Sequence, residues 1–304
     1  MIIDAHLHLW KKLDGVVNNA PVRPLENGKC DFGGEIRQMM PPYMEDGCNT
    51  IERLIANMDY AGVNACVVTQ EYIDGIQDDY LLEAKAKYPN RVKICSLYTD
   101  EAFWNVRNNQ VTGSGETSFR TEGFDGIKIC AGRLKDRDLK NHLNVFEEAE
   151  KNGRFVSIDM ADGDEQTADL QWIVDRCPSL RIAVGHFGMV TTKGWQKQIE
   201  LAQNPNVYIE SGGLTWLFNY EFYPYPSAID AILEAKAICG MEKLMWGSDY
   251  PRTMTDITYK SALRFIKEST KLTDADKKAF LGENAVRFYG FEELQQLEPI
   301  ANML

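Results

Sequence analysis

Short apolar segments alternate with helical patterns along almost the whole sequence, and this alternation constrains the fold more than any other feature. From the second apolar segment onward, a new one begins roughly every 30 residues. Apolar runs without a polar face are typical of strands that are buried on both sides of a parallel sheet. Eight such strands, each followed by a helix, predict a (β/α)8 barrel of the α/β class, with residues 1–304 forming one domain.

The predicted elements follow one another in a regular order. Strands are predicted at residues 1–9, 64–70, 92–98, 126–130, 154–160, 181–186, 206–211 and 243–249. Helices are predicted at residues 51–61, 78–88, 138–152, 167–177, 193–203, 226–239, 256–270 and 274–288. The main alternative is a doubly wound open sheet, but no Gly-x-Gly-x-x-Gly motif follows the first strand.

Long loops are expected after strands one, three and seven, at residues 10–49, 99–122 and 212–226. The first loop contains arginine and aromatic side chains, so it is either a cover over a substrate or an excursion at the surface. The second loop is expected to contain one helical turn. Loops in such positions often determine which substrate an enzyme accepts.

The charge, the cysteines and the apolar runs narrow the classes of function. A formal net charge of −12 argues against nucleic-acid binding, which requires a basic face. The seven cysteines are odd in number and include no Cys-x-x-Cys, so we expect reduced, mostly buried thiols in a cytoplasmic protein. No run approaches the ~18 apolar residues of a membrane span. Asp4 interrupts the N-terminal apolar run, which argues against a signal peptide.

Polar side chains that can carry catalysis are predicted at one end of the barrel. In a (β/α)8 barrel the active site lies at the carboxyl ends of the strands. The polar residues at the predicted strand ends are His6, His8, Lys128, Ser157, Asp159, His186, Glu210, Ser211 and Asp249. Three of the four histidines belong to this set, whereas His142 is expected at the surface of a helix. This clustering indicates an active site.

The pair His6 and His8 stands at the end of the first predicted strand. Because side chains on a strand alternate with a period of two, the two imidazoles point the same way. Together they could hold a divalent metal ion. The alternative is two polar residues at a strand exit.

Five segments, the first of which contains this pair, carry a family resemblance. They are Asp4-Ala-His-Leu-His8, Gly126-Ile-Lys128, Val184-Gly-His-Phe-Gly188, Trp246-Gly-Ser-Asp-Tyr-Pro251 and Glu283-Asn-Ala-Val-Arg-Phe-Tyr289. Together they resemble, in order and over nearly the whole chain, the amidohydrolase-related branch of the amidohydrolase superfamily. This branch contains aminocarboxymuconate-semialdehyde and resorcylate decarboxylases. It also contains lactonases that open sugar lactones or pyrone-dicarboxylate. Trp10, the Cys177-Pro-Ser-Leu180 segment and the Asn-Ala-x-x-Phe-Tyr ending are more similar to the lactonases.

The resemblance implies that His6, His8 and Asp249 form a metal-ligand or catalytic core, with His186 beside them. Many metal-dependent members of the family have a histidine at the end of strand five, where this chain has Asp159. Asp159 is then either a further carboxylate ligand of the ion or a sign that the metal is weakly bound or absent. The expected ion is Zn²⁺ or Mn²⁺.

The predicted activity is the opening of a lactone by water. Asp249 is the expected general base, and a bound metal would activate the water and polarise the carbonyl group. Without a metal, His186 and Lys128 are expected to stabilise the oxyanion. Lys128 is interpreted as an ammonium that binds a substrate oxygen or pairs with Asp159. The alternatives for Lys128 are a carboxylated bridging ligand and a lysine that reaches solvent.

Two other functions compete with the lactonase. A metal-dependent non-oxidative decarboxylase of an aromatic or muconate-type acid is the second candidate. A non-catalytic binding protein on the same barrel is the third, and the nearly complete histidine and aspartate set argues against it.

The substrate is expected to be a small molecule that can carry a carboxylate. The six aromatic side chains of residues 212–226 predict either a wall over a ring-shaped substrate or a contact in a homo-oligomer. Trp216 and Tyr250 are the aromatic residues predicted to bind substrate. Arginines on the predicted loops are Arg23, Arg37, Arg120, Arg133 and Arg252. Arg252, which follows Asp249 closely, is the predicted partner of a substrate carboxylate.

Overall fold

Eight parallel strands form the main sheet, and their order around the sheet is that of a (β/α)8 barrel. The structure is a computed structural model that describes residues 1–17, 20–100, 103, 119–298 and 300. Neighbouring strands, in spatial order, are β1 (Ile3–His8), β6 (Ala65–Thr69), β7 (Val92–Tyr98), β8 (Gly126–Cys130), β9 (Phe155–Asp159), β10 (Ile182–Val184), β11 (Val207–Glu210) and β12 (Leu244–Met245). The predicted barrel is confirmed.

The barrel closes between β1 and the segment that follows β12. Leu7 pairs with Tyr250 in parallel register. The N–H of His8 donates to the carbonyl of Tyr250 at 2.8 Å, and the N–H of Asp249 donates to the carbonyl of His6 at 2.9 Å. These bonds bring the first and last strands of the barrel together, and with them His6, His8 and Asp249.

β12 is shorter than the predicted strand 243–249 because the Asp4 side chain replaces a backbone carbonyl as the hydrogen-bond acceptor. The N–H of Ser248 donates to the Asp4 carboxylate at 2.8 Å instead of to a carbonyl of β1. A Cβ atom added at Gly247 would lie only 2.8 Å from the Cβ of His6. The chain therefore passes close beneath His6 without regular strand pairing.

Helices follow most of the strands and pack around the sheet. Their bounds are Ile51–Ala61, Asp78–Lys87, Leu143–Lys151, Thr167–Arg176, Gln196–Glu200, Leu214–Leu217, Pro226–Cys239, Ser261–Glu268, Asp274–Lys278 and Asn284–Tyr289. A π-helical turn at Ala279–Glu283 joins the last two. The first helix ends at Gly62, whose φ of 74° is the left-handed conformation that glycine adopts without strain.

The long segment predicted between the first two barrel strands is present, but it is not a plain loop. It contains an antiparallel sheet of four strands: β2 (Val16–Val17), β3 (Ala20–Pro24), β4 (Lys29–Phe32) and β5 (Ile36–Gln38). These strands are short and lack the continuous apolar runs of the barrel, so the apolar pattern did not identify them. Residues 99–122, predicted as a loop with a helical turn, fall mostly outside the described residues.

The apolar core explains why the site lies at one end only. Ile3, Ala65 and Phe155, at the amino ends of their strands, pack with Phe288 and Tyr289 of the last helix. This cluster fills the amino-terminal end of the barrel, so the cavity can open only at the carboxyl ends of the strands.

Within the described part of the chain, no helix is long and apolar enough to cross a membrane. Five of the seven cysteines are buried, as predicted, and all seven are free thiols. The assignment of residues 1–304 to one domain stays a prediction.

Candidate active site

A cavity of about 470 Å³ opens at the carboxyl ends of the barrel strands. Six predicted site residues line it, namely His8, Asp159, His186, Asp249, Trp216 and Arg252. His6 lies buried directly behind them, with its ring centroid 5.1 Å from that of His8 and 4.6 Å from that of His186. The structure therefore brings together the histidines and aspartates predicted from the strand ends.

Two buried carboxylates orient the histidines of β1. The Nδ1 of His6 lies 2.5 Å from Oε1 of Glu210, and the Nδ1 of His8 lies 2.7 Å from Oδ2 of Asp74. A carboxylate next to Nδ1 keeps the proton on that nitrogen, so the Nε2 lone pair of each ring is free to bind a ligand. Both Nε2 atoms face the same point.

His6, His8 and Asp249 offer three ligand atoms that fit a divalent ion. The two Nε2 atoms are 3.2 Å apart, and Oδ1 of Asp249 lies 3.2 Å from Nε2 of His8 and 3.9 Å from Nε2 of His6. Ligand atoms around a tetrahedral Zn²⁺ are separated by roughly 3.3 Å. Two imidazole lone pairs and a carboxylate that converge in this way require a cation between them, either a metal ion or a proton.

The charges of this group agree with that requirement. Burial alone would lower the pKa of His8, but the carboxylates of Asp74 and Asp249 outweigh burial and hold the pKa well above 6.5. Burial raises the pKa of Asp249, yet the hydrogen bond to His8 and the charge of His186 bring it below its usual range. Burial lowers the pKa of His6.

A second possible metal group, His6, Asp159 and His186, fits an ion less well. Oδ1 of Asp159 already accepts a hydrogen bond from the buried Lys128 ammonium at 2.6 Å, and its Oδ2 lies 3.4 Å from Nε2 of His186. Because Nδ1 of His6 is bonded to Glu210, both groups would need the same Nε2. Asp159 as a metal ligand stays a prediction, whereas the expected pairing of Lys128 with Asp159 is present.

The pKa values of this second group follow from the same ion pair. Burial alone would lower the pKa of Lys128, but the charge of Asp159 outweighs it and the pKa is raised. Burial would raise the pKa of Asp159, but the charges of Lys128 and His186 bring it well below 3.8. Burial would lower the pKa of His186, but Asp159 raises it to about 9.

The backbone at two of these residues is strained. His186 has a φ of 53° and Asp249 a φ of 57°, in the left-handed region that residues with a Cβ atom rarely adopt. Hydrogen bonds fix the backbone on both sides of Asp249. The N–H of Ser248 donates to the buried Asp4 carboxylate, and the N–H of Thr253 donates to the carbonyl of Asp249 at 3.1 Å. Backbone strain of this kind is typical of functional sites. Burial raises the pKa of the Asp4 carboxyl group, which accepts the hydrogen bond from Ser248, to about 7.

Two glycines keep the site free of side chains. A Cβ atom at Gly185 would lie 2.0 Å from Oδ1 of Asp159, and one at Gly212 would lie 3.0 Å from Oε2 of Glu210. Both positions therefore need glycine for the carboxylates to keep their places.

Trp216 and Arg252 form one wall of the cavity. The indole N–H of Trp216 donates to Oδ2 of Asp249 at 2.6 Å. The guanidinium of Arg252 lies 4.3 Å from the centroid of the Trp216 ring. Met39, from the segment that follows β5, also lines the cavity, so the excursion after β1 contributes to the wall as a covering loop would.

Other predicted residues do not line the cavity. Tyr250 is buried and packs against Tyr259, with ring centroids 5.6 Å apart. Lys128 is buried behind Asp159. Of the aromatic residues in 212–226, only Trp216 lines the cavity; Tyr220 and Phe222 are exposed.

The predicted loop arginines are divided in the same way. Arg133 lines the cavity but is paired with Glu71. Arg37 and Arg120 pair with Glu35 and Asp79 outside the cavity.

Two residues were missed or misplaced in the sequence analysis, and a third was named without a role. Asp74 was not predicted as a site residue, and Glu210 was listed among the polar strand-end residues but not as the partner of His6. The prediction that His142 lies at the surface is wrong. It is buried, and its Nδ1 lies 2.8 Å from the hydroxyl of Tyr98.

The fold and the site together define a (β/α)8 barrel enzyme whose centre combines strand-end histidines with aspartates. The family model described as Amidohydrolase matches residues 3–291. The chain therefore belongs to the amidohydrolase family and is an enzyme of the amidohydrolase superfamily. Among curated protein sequences, none matches the chain.

Solved structures with the same fold include two hydrolase-type proteins. One is a probable 2-pyrone-4,6-dicarboxylic acid hydrolase from Acinetobacter baumannii with bound citric acid, 20% identical, with a TM-score of 0.65 over 95% of this chain and 99% of that chain. Another is an amidohydrolase from Burkholderia multivorans with bound zinc, 16% identical, with a TM-score of 0.65 over 96% of this chain and 100% of that chain.

A third similar structure is a dihydroxybenzoic acid decarboxylase from a Polaromonas species, with bound manganese and an inhibitor. It is 14% identical, with a TM-score of 0.54 over 80% of this chain and 87% of that chain. At these identities the similarities show a shared fold. The His6, His8 and Asp249 group fits a divalent ion, such as the zinc and the manganese bound in two of these structures.

Proposed function

We propose that this enzyme hydrolyses a lactone, with Asp249 as the general base. The observation that carries the proposal is the place of the Asp249 carboxylate, which faces the cavity between Nε2 of His8 and the indole N–H of Trp216. A carboxylate held this way stays ionised and can accept a proton from a water molecule in the cavity.

The other residues supply the remaining parts of the reaction. The oxygen of water bonds to the lactone carbonyl carbon while its proton passes to Asp249. The ring C–O bond then breaks, and the leaving alkoxide takes a proton from His186, which also lines the cavity. Lys128 acts through Asp159, which it holds next to His186. A divalent ion bound by His6, His8 and Asp249 would supply a Lewis acid that stabilises negative charge on the carbonyl oxygen.

Similar structures support this reaction class. The probable 2-pyrone-4,6-dicarboxylic acid hydrolase acts, by its description, on a ring-shaped carboxylated lactone. The cavity of this chain has the volume and the mixed apolar and polar lining that suit a small-molecule ring. A small-molecule substrate is part of the proposal, and a homo-oligomer stays a prediction.

A second candidate is the non-oxidative decarboxylation of an aromatic or muconate-type acid. The similarity to a manganese-containing decarboxylase and the fit of His6, His8 and Asp249 to an ion favour it. The two reactions differ in their products, since hydrolysis of a lactone releases a hydroxy acid and decarboxylation releases CO₂.

The test is a panel of lactones and aromatic carboxylates incubated with the purified enzyme loaded with Zn²⁺ or Mn²⁺. Acid release is followed by a pH indicator and CO₂ by a coupled assay. We expect acid release from at least one lactone and no CO₂. CO₂ release from an aromatic acid, without acid release from any lactone, would overturn the proposal in favour of the decarboxylase.

A further inference from the structure

We infer that the substrate is a flat ring of low polarity that carries a single carboxylate. Arg252, whose guanidinium lies over the Trp216 ring, binds this carboxylate. This inference rests on the proposed lactone hydrolysis and specifies its substrate class. It is drawn from the charges and the side chains that line the cavity.

Arg252 is held where it can bind an anion close to the reacting centre. Its guanidinium lies 4.3 Å from the centroid of the Trp216 ring, and the indole N–H donates to Asp249 at 2.6 Å. The stacking leaves the guanidinium N–H groups at its edge free to donate, as bidentate binding of a carboxylate requires. One indole ring therefore connects the anion-binding group to the proposed base.

The other arginines of the cavity already have acidic partners. Arg133 forms an ion pair with Glu71, and NH2 of Arg137 lies 2.8 Å from Oε2 of Glu165. Among the cavity-lining arginines in the described part of the chain, Arg252 alone has no carboxylate partner.

A second carboxylate on the substrate would meet negative charge. The cavity is also lined by six acidic residues: Glu71, Asp74, Asp159, Asp162, Glu165 and Asp249. Arg133 and Arg137 already have Glu71 and Glu165 as partners, so a second substrate carboxylate at either arginine would lie close to that partner's negative charge. This repulsion opposes binding of a dianion.

The remaining lining favours a ring with few hydroxyl groups. Apolar and sulfur-containing side chains form much of the wall: Met39, Ile73, Met160, Met189, Trp216 and Pro251. Substrate hydroxyls packed against such side chains would lose their hydrogen bonds to water without replacement. A flat unsaturated ring instead packs well against methionine and indole. A monocarboxylated pyrone-type lactone meets these conditions better than a sugar lactone.

Binding of unreactive acids tests the inference apart from catalysis. Benzoate and benzene-1,3-dicarboxylate are titrated into the metal-loaded enzyme by calorimetry. We expect benzoate to bind at least about tenfold more tightly than the dicarboxylate. In Arg252→Gln the affinity for benzoate should fall about tenfold, the size of one charge-assisted contact of 1.4 kcal/mol. In the matched control Arg137→Gln it should change less than threefold.

Several outcomes would overturn the inference. These are tighter binding of the dicarboxylate, unchanged benzoate affinity in Arg252→Gln, an equal loss in Arg137→Gln, and no binding of benzoate at all. Hydrolysis of 2-pyrone-5-carboxylate is then measured separately. Benzoate binding that depends on Arg252, together with no hydrolysis of any lactone, would support the anion site and overturn the proposed function alone.

Discussion

Replacement of Lys128 by methionine should lower the free energy of unfolding, because it leaves Asp159 without its buried ion-pair partner. Lys128 is buried, and its Nζ lies 2.6 Å from Oδ1 of Asp159, whose side chain is 16% exposed. Removing one partner of a buried ion pair costs about 3–5 kcal/mol. Because Asp159 reaches the cavity and keeps His186 at 3.4 Å, we expect the lower end, a loss of about 3 kcal/mol in the free energy of unfolding at pH 7.

The loss should depend on pH in a defined direction. The pKa of Asp159 in the folded protein is well below 3.8, so its ionised form stabilises the fold above about pH 4, and this contribution is lost as the pH falls through the folded-state pKa. The pKa of Lys128 is raised above 10.5, so its contribution is complete below that pH and is lost as the pH rises through the folded-state pKa. The difference between wild type and Lys128→Met should therefore be largest near neutral pH and shrink below about pH 4.

Urea unfolding of the metal-free protein, followed by circular dichroism at pH 7 and pH 3, measures this difference. The exposed Lys278→Met is the matched control and should change the free energy of unfolding by less than about 0.5 kcal/mol. A loss below about 1 kcal/mol at pH 7 would refute the reasoning, because a buried pair this short should contribute more. A loss that is the same at pH 3 as at pH 7 would refute the role of ionised Asp159.

Three other substitutions test separate parts of the site. Glu210→Gln should weaken Zn²⁺ binding about 10–100-fold, because it removes the carboxylate that orients His6. Competition with a chelator measures the affinity for Zn²⁺, and an unchanged affinity would contradict that role. Gly185→Ala would place a Cβ atom 2.0 Å from Oδ1 of Asp159, so unfolding by urea should show a loss of about 1–3 kcal/mol, and a neutral effect would contradict the packing. Trp216→Phe removes the donor to Asp249 but keeps a ring beneath Arg252. It should lower kcat about tenfold with little change in benzoate affinity, whereas a loss confined to benzoate binding would contradict the contact with Asp249.

The central part of the site could be predicted because parallel strands end at one face of a barrel. His6, His8, His186 and Asp249 stand at the ends of three different strands or just beyond them, so the fold alone brings them together. The ion pair of Lys128 with Asp159, one of the alternatives given for Lys128, also follows from this rule, since β8 and β9 are neighbouring strands.

Contacts of residues that do not lie at strand ends could not be predicted in this way. Asp74 lies five residues beyond the end of β6 and reaches His8 only because the intervening turn folds back. His142 faces inward because Tyr98 of β7 offers it a hydrogen-bond partner, which its helical neighbours do not reveal. Tyr250 follows Asp249, but the chain at that point pairs with β1 and places the phenol in the core.

The contacts of the residues that would select the substrate could also be identified only from the tertiary structure. The sequence favoured Arg252 over Arg133 only because Arg252 follows Asp249 closely. The structure separates them, because Glu71 neutralises Arg133 whereas Arg252 stacks on Trp216. The role of Met39 also required the fold, since its segment reaches the cavity through the four-stranded sheet after β1.

Turnover of a lactone by Asp249→Asn is the most direct test of the proposed mechanism. The variant keeps the shape of the side chain but cannot accept the proton from water, so kcat should fall by at least about 100-fold. Its free energy of unfolding, measured in urea, should establish that it folds, and Asp175→Asn on an exposed helix position should keep wild-type kcat. A kcat of Asp249→Asn close to that of the wild type would contradict the account.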